Sequence, residues 1–468
     1  MQYSIVPFSD VDLEDRIDAE YFQPTYLEIE KKLASAESIP LREFCTITGS
    51  AFYPAATHLY EFGNLPFIRC VDCIPYPIIT KRQDNLFEKI PIDFANEHRN
   101  IKRLKAGEIV ITKVGTPCFA SIIHDLADVA LSRTVLGLKS IERINPYYLV
   151  AFLRSKYGFS QLYRERELTI QYQLTLERVG NILIHKPLPE IENAIADTLI
   201  QHEDCKRRSV ETFDCAQNLL LSELGLLDWQ PRHQLAFVKN YSDTVESERF
   251  DAEYFQPKYE EIIEAIQAYP GGWKPLGDLV SMKKCVEVGS GEYMNEGVPF
   301  VRVSNLGPHE ITEEKYISHE LYNRLKKHQP KKGEILLSKD GSPGIAHYLR
   351  ETPKKMIPSG GILRLSPKSD TVNEDYLTLV LNSVLTKQQI IRDVGGSIIL
   401  HWRPDQVKKL AVPILNKDKQ QEIQTMVQES FDLRKRSKHL LECAKRAVEI
   451  AIEQDEDKAQ AWLGEQTR

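Results

Sequence analysis

The sequence predicts an α+β fold: two pseudo-symmetric mixed α/β domains separated by a pair of long antiparallel, coiled-coil helices. Three observations carry this. The phrase RIDAEYFQPTY at residues 16–26 returns as RFDAEYFQPKY at residues 249–259, with nine of eleven residues identical. The phrase KAGEIVITKVGTP at residues 105–117 returns as KKGEILLSKDGSP at residues 331–343. Each half then runs into a helix-length stretch, residues 190–224 and 417–452, that contains neither proline nor glycine. A period of about half the chain means duplication of a whole domain unit, where a period of roughly 20–50 residues would mean a solenoid.

Length and composition set the class. The chain of 468 residues fits two to four domains at roughly 100–200 residues each. Apolar residues at 42% and charged residues at 27% describe a globular protein and point to neither disorder nor a membrane role. The amino terminus has no basic start followed by an apolar run, and no segment offers about 18 uninterrupted apolar residues, so a cytoplasmic location is expected. Eight scattered cysteines suit reduced thiols better than a disulfide framework. A net charge of −7 argues mildly against a nucleic-acid partner, but phosphate binding depends on local basic surface.

The first domain is assigned to residues 1–189. Pro24 starts a helix with Tyr26, Ile29 and Leu33 on one face, as Pro257 does for Tyr259, Ile262 and Ile266. LPFIRC at residues 65–70 matches VPFVRV at residues 298–303 and pairs Arg69 with Arg302. Asn145 and Asn373 each open a helix, and each domain closes on a short apolar strand, ILIHKPLP or LAVPIL. The first long helix falls in residues 190–230, the second domain in 231–416, and the second helix with a tail in 417–468.

On the helices, Ile195, Leu199, Ser209, Phe213, Ala216 and Leu220 match Ile423, Val427, Ser437, Leu441, Ala444 and Val448. These spacings of three and four make one stripe per helix, roughly 50 Å long at about 1.5 Å per residue. The other helix is its simplest cover, and packing on its own domain is the alternative.

No active site emerges. Asn145-Pro146-Tyr147-Tyr148 resembles the loop with which amino-methyltransferases hold a flipped base, but the second proline is missing and an N-cap explains the same letters. Cys70 and Cys73 have zinc-ligand spacing without a second pair, and their counterparts are Val303 and Leu306, so buried strand cysteines are expected. Pro404-Asp405 lacks the rest of a nuclease motif, and VGSGE at residues 288–292 reads as a turn. No catalytic or metal-binding residue is assigned.

Paired basic loops are the stronger signal. Arg99, Lys102, Arg103 and Lys105 lead into one strand, and Arg324, Lys326, Lys327, Lys331 and Lys332 into its copy. Each strand ends at a lysine, Lys113 or Lys339, beside Gly115 or Gly341, which allows backbone to approach a phosphate. The halves differ where LSRTVLGL (131–138) faces PSGGILRL (358–365), and where TIQYQLTL (169–176) faces SIILHWRP (397–404). Related surfaces with different Arg, Gln and His sets suit two readers of different bases, Arg for guanine and Gln for adenine. The DNA-binding candidates are thus Arg69, Lys102, Arg103, Lys105, Lys113, Arg133, Gln171, Gln173, Arg302, Lys331, Lys332, Lys339, His401 and Arg403.

In this duplicated order the chain resembles the DNA specificity subunits of type I restriction-modification systems. The resemblance covers essentially the whole chain. It implies two target-recognition domains, each reading half of a bipartite DNA site, with the helices setting the gap, and no catalysis by the chain itself. It further implies two copies of a methyltransferase subunit and, in the restriction complex, translocase-nuclease subunits. These partners would carry S-adenosylmethionine, ATP and Mg, leaving no cofactor on this chain. Tyr21, Phe22, Tyr254, Phe255, Phe213 and Leu441 are the partner-binding candidates, with internal docking of the aromatic phrase onto the long helices as the rival reading. A two-domain protein-binding scaffold is the alternative function.

Overall fold

The computed structural model describes residues 4–6, 11, 18–116, 118–167, 172–394 and 400–467. They divide into two units, Met1–Arg207 with Arg434–Arg468, and Arg208–Leu433.

In the first unit, helix α1 (Pro24–Ser35) starts on Pro24, whose fixed φ and missing N–H suit a first turn, and it buries Ile29 and Leu33. Strands β1 (Thr46–Gly49), β2 (Ile78–Ile79), β3 (Ile109–Thr112), β4 (Ala120–Ile123) and β5 (Val135–Lys139) form a sheet in the order β1-β5-β3-β4-β2. Every residue of β3 and β4 is buried, which accounts for their mostly apolar letters, with only Thr112 and Ser121 polar. Helices α2 (Pro146–Arg154) and α3 (Lys156–Arg164) follow. The Asn145 side chain accepts a hydrogen bond from the Tyr147 amide at 3.0 Å, as an N-cap should. The buried Tyr148 hydroxyl donates to the His185 carbonyl at 3.0 Å and ties α2 to the closing strand Leu183–His185. A smaller sheet holds Leu65–Ile68, with Phe67 paired in parallel to Ala130.

The second unit repeats this plan. Helix α4 (Pro257–Ala268) buries Tyr259, Ile262 and Ile266. Strands β6 (Val280–Lys284), β7 (Ile335–Ser338), β8 (Ala346–Tyr348) and β9 (Ile362–Pro367) lie in the order β6-β9-β7-β8. Helices α5 (Glu374–Asn382) and α6 (Val384–Asp393) follow. Asn373 caps α5 through the Asp375 amide at 2.9 Å, and the Tyr376 hydroxyl donates to the Pro413 carbonyl at 2.8 Å. The parallel pair recurs as Phe300 against Ile357.

One difference between the unit cores is a buried ion pair. Arg364, 3% exposed, donates to Glu334, 6% exposed, at 2.8 and 2.9 Å. Gly137 holds this place in the first unit, and the Leu104, Leu131 and Thr48 side chains close over it.

The long helices, Pro189–Glu223 and Lys417–Glu453, each contribute residues to both units. In the first unit Ile191, Ile195 and Leu199 share a core with Ala444, Ala447 and Val448. There the Ser437 hydroxyl donates to the His202 carbonyl, and His202 Nδ1 lies 2.9 Å from the Ser437 carbonyl. In the second unit Ala216 and Leu220 share a core with Ile423 and Val427. There the Ser209 hydroxyl donates to the Ser430 carbonyl at 2.8 Å and the Ser430 hydroxyl to the Ser209 carbonyl at 2.7 Å. Within each unit the contacting numbers run in opposite directions, so the expected antiparallel pairing is present. Packing on the domains is present as well, because both helix stripes join domain cores.

The cysteine expectation needs a correction. Cys70–Cys73 is a helical turn, not a strand, because the Asp72 carboxylate accepts from the Arg69 amide at 2.8 Å and closes the turn. Both thiols are nonetheless buried. Among the described residues, no helix is long and apolar enough to cross a membrane.

Two predictions follow from these interiors. Replacing Arg364 by Ala strands the Glu334 carboxylate and should cost about 3–5 kcal/mol, with the double change Arg364→Met and Glu334→Leu recovering part of it in urea titrations. His202 is the second case: burial, with Lys206 and Arg154 adding repulsion, pushes its imidazole down to about 4 from 6.5. A depressed base stabilises the fold above the unfolded value and loses that contribution as pH falls from 6.5 towards 4. The loss is roughly 3 kcal/mol. His202→Ser, the residue at Ser430, should remove this slope when wild type and variant are compared at pH 7.5 and 4.5.

Candidate nucleic-acid interface

The buried strands β3 and β7 both emerge at a lysine. In the first unit the Lys113 amide donates to the Thr134 carbonyl at 2.8 Å, and the Leu174 amide donates to the Lys113 carbonyl at 3.2 Å. In the second unit the Lys339 amide donates to the Gly361 carbonyl at 2.8 Å, and the Trp402 amide to the Lys339 carbonyl at 2.8 Å. One residue on, Val114 bridges Gln173 and Asp340 pairs with His401. Three segments remote in sequence therefore meet at the same point of each unit. Gly115 at φ +86° and Gly341 at φ +69° turn the chain there in the left-handed region that glycine enters without strain.

The side chains on this frame differ. In the first unit Lys113 is half-buried and Gln173 exposed, and the exposed Arg133 guanidinium lies 5.7 Å from the Phe52 ring and 5.3 Å from the Tyr53 ring. In the second unit Asp340 takes an ion pair from Lys339 on one oxygen and a hydrogen bond from His401 Nδ1, 2.9 Å away, on the other. Because a carboxylate only accepts, Nδ1 carries the proton. Burial pushes the Asp340 carboxyl up, but the bonds from Lys339 and His401 outweigh it and hold the group below the ordinary range. Arg403, 68% exposed, lies 3.5 Å from Asp405, and its amide donates to the Gln406 side chain at 3.0 Å at the start of the helix Pro404–Lys409.

The remaining candidates lie elsewhere. Lys102, Arg103 and Lys105 sit at the entrance of β3, with the whole strand between them and Lys113, and Lys331 and Lys332 stand likewise to Lys339. Lys105, Lys331 and Lys332 are exposed, whereas Arg103 is spent on Asp128 and Asn96. Lys102 Nζ donates to the Arg99 carbonyl at 3.3 Å. Arg69 is paired with Asp72 and Glu88, and Arg302 with Glu314. Gln171 lies outside the described residues, as do Arg16, Pro117, Thr169 and Ser397. Sequence reasoning missed Phe52, 76% exposed, because nothing in its neighbourhood of the chain points to Arg133.

Residues 270–442 match the family described as type I restriction modification DNA specificity domain. The first unit repeats the plan of the matched residues, with Gly137 opposite Val110 as Arg364 is opposite Leu336, and with Asn145 and Asn373 capping matching helices. Among solved structures, the type-I restriction-modification system S subunit from M. genitalium is 11% identical, with 91% of this chain and 95% of that chain covered and a TM-score of 0.40. The HsdS subunit from Thermoanaerobacter tengcongensis is 15% identical, with 89% and 96% covered and a TM-score of 0.29. No curated protein matches the chain.

In both units the aromatic phrase is largely used internally. The Tyr21 hydroxyl donates to Glu165 at 3.0 Å, Arg164 lies 4.0 Å over its ring, and Arg164 Nε donates to the Tyr21 carbonyl at 2.8 Å. Burial and then the Glu165 charge push the Tyr21 phenol up to about 12. Tyr254 meets Arg392 at 5.4 Å and Arg249 at 4.8 Å. Arg164 closes α3 and Arg392 lies near the end of α6, so the phrase docks on a short helix of its own unit, whereas the rival, internal-docking reading had named the long helices. Phe22 is half-buried and Phe255 buried. Phe213 packs edge-on against His309 at 4.9 Å, and Leu441 packs on the first unit's core. Tyr21→Ala should therefore lower the first unit's unfolding free energy by about 1–3 kcal/mol, and Tyr21→Phe by about 1. Unchanged stability with lost partner assembly would reverse that reading.

Proposed function

We propose that this chain is the DNA specificity subunit of a type I restriction-modification complex. One observation carries the reading: a specificity domain and its repeat each gather three distant segments around a strand-end lysine, on a shared backbone frame bearing different side chains. Each unit would read one half of a bipartite duplex site. Lysines and glycine-turned backbone would hold phosphates, and the exposed side chains of the joined segments would meet base edges.

On this reading the chain performs no chemistry. Two copies of a methyltransferase subunit supply S-adenosylmethionine-dependent adenine methylation, and translocase-nuclease subunits supply ATP- and Mg-dependent cleavage. The long helices, which belong to both units, set the spacing between the half-sites and give these subunits a place to dock.

The test uses the purified chain with its methyltransferase partner and duplex DNA. Affinity should fall steeply with salt, as phosphate contacts require. Exchanging residues 40–189 for the corresponding domain of a relative should change one half of the recognised sequence and leave the other half and the assembly intact. Salt-insensitive or absent binding would favour the protein-scaffold alternative, and a change in both halves would contradict two independent readers.

A further inference from the structure

The two units carry opposite chemistry at one pair of matching, solvent-facing positions. In the first unit Gly49 on β1 stands opposite Leu136 on β5, and in the second Lys284 on β6 stands opposite Leu363 on β9. Three residues after the first member of each pair and three before the second lie Phe52 and Arg133 in one unit, Glu287 and Gly360 in the other. Both pairs are in contact. The Arg133 guanidinium lies over Phe52, while a Cβ built on Gly360 would fall 2.3 Å from Glu287 Oε1, so the Glu287 carboxylate occupies the space a side chain there would need. The next residue on, Thr134 or Gly361, is the one whose carbonyl receives the strand-end lysine amide. The pair therefore borders the lysine loop in both units.

Arg133 and Glu287 are exposed, and among the described residues Glu287 has no ion pair. An unpaired carboxylate beside a phosphate-binding lysine weakens any contact with a backbone of its own charge. The group on duplex DNA that rewards it is an exocyclic amine in the major groove, that of cytosine above all. Arg133 suits the opposite edge. Its guanidinium is held against two rings, which leaves planar N–H donors pre-arranged for the O6 and N7 acceptors of guanine.

We propose that Arg133, positioned by Phe52, reads a guanine for the first unit, and that Glu287 reads a cytosine amine for the second. The assignment rests on the DNA-reading function above and names the residues that make its two halves differ. Gly360 belongs to it as the vacancy that lets Glu287 lie flat.

Selection from a random duplex library by the chain with its methyltransferase partner tests it. Wild type should return a bipartite sequence. Arg133→Ala should relax one position of one half by about 10- to 100-fold. Glu287→Gln should shift one position of the other half from cytosine towards adenine, the base that glutamine pairs with. The transplant Phe52→Glu with Arg133→Gly should move the first unit's readout towards cytosine. Both single changes are at exposed sites, and unchanged unfolding curves and partner assembly confirm intact variants. A wild-type selection without a bipartite sequence sinks the DNA-reading function and this assignment together. A bipartite sequence that Arg133→Ala and Glu287→Gln leave unaltered, or that both alter in the same half, sinks the assignment alone.

Discussion

Both units depend on one backbone hydrogen bond, the strand-end lysine amide to the carbonyl of Thr134 or Gly361, 2.8 Å in each. The strand before it is wholly buried, so its end cannot move without the core moving. The carbonyl belongs to the turn entering the next strand of the sheet, and the lysine's own carbonyl receives an amide from a third segment. One bond and its neighbour thus place three loops to within the tolerance of a packed sheet. Loops are where side chains diverge at little cost, and here they diverge on a frame that does not.

The long helices obey a different constraint. At Ser209, Ser430 and Ser437, serine hydroxyls reach carbonyls of the facing helix, and His202 is the large polar side chain among these positions. A small residue lets two helices approach, and a hydroxyl satisfied across the gap adds no buried polar penalty. Alanines and β-branched residues fill the flanking layers. Because each helix serves both units, a change in its register would be felt in two cores, which is a reason for the stripe to stay alike in both copies.

Much of this was legible in the letters. Duplication, proline starts, asparagine caps and the absence of helix breakers are local signals, and local hydrogen bonding or φ preference enforces each one. What stayed hidden was long-range. Glu88 and Glu314 take up Arg69 and Arg302, and neither arginine's own surroundings in the chain reveal it. The basic run before each strand and the lysine after it look contiguous in sequence, yet a buried strand parts them. Cys70 and Cys73 read as strand because their counterparts are apolar, and what bends them into a turn is the Asp72 carboxylate accepting from the Arg69 amide.

Divergence between the copies is not in itself a mark of recognition. At the residue after β4, His124 Nδ1 meets the Tyr147 hydroxyl at 2.6 Å, and at the matching place in the second unit Arg350 is paired with Asp375. The contact joins the same two elements with unrelated chemistry. There the second unit adds Gln428, donating to Asp375 at 3.2 Å, and Phe431, 3.5 Å under Arg350. Each substitution is answered by a neighbour, as interior packing requires. Glu287 is answered only by the space that Gly360 leaves: its carboxylate lies on that backbone, faces solvent and has no ion pair among the described residues. A changed residue whose partner has changed with it maintains the fold, and a changed residue left without one points to a partner outside the chain.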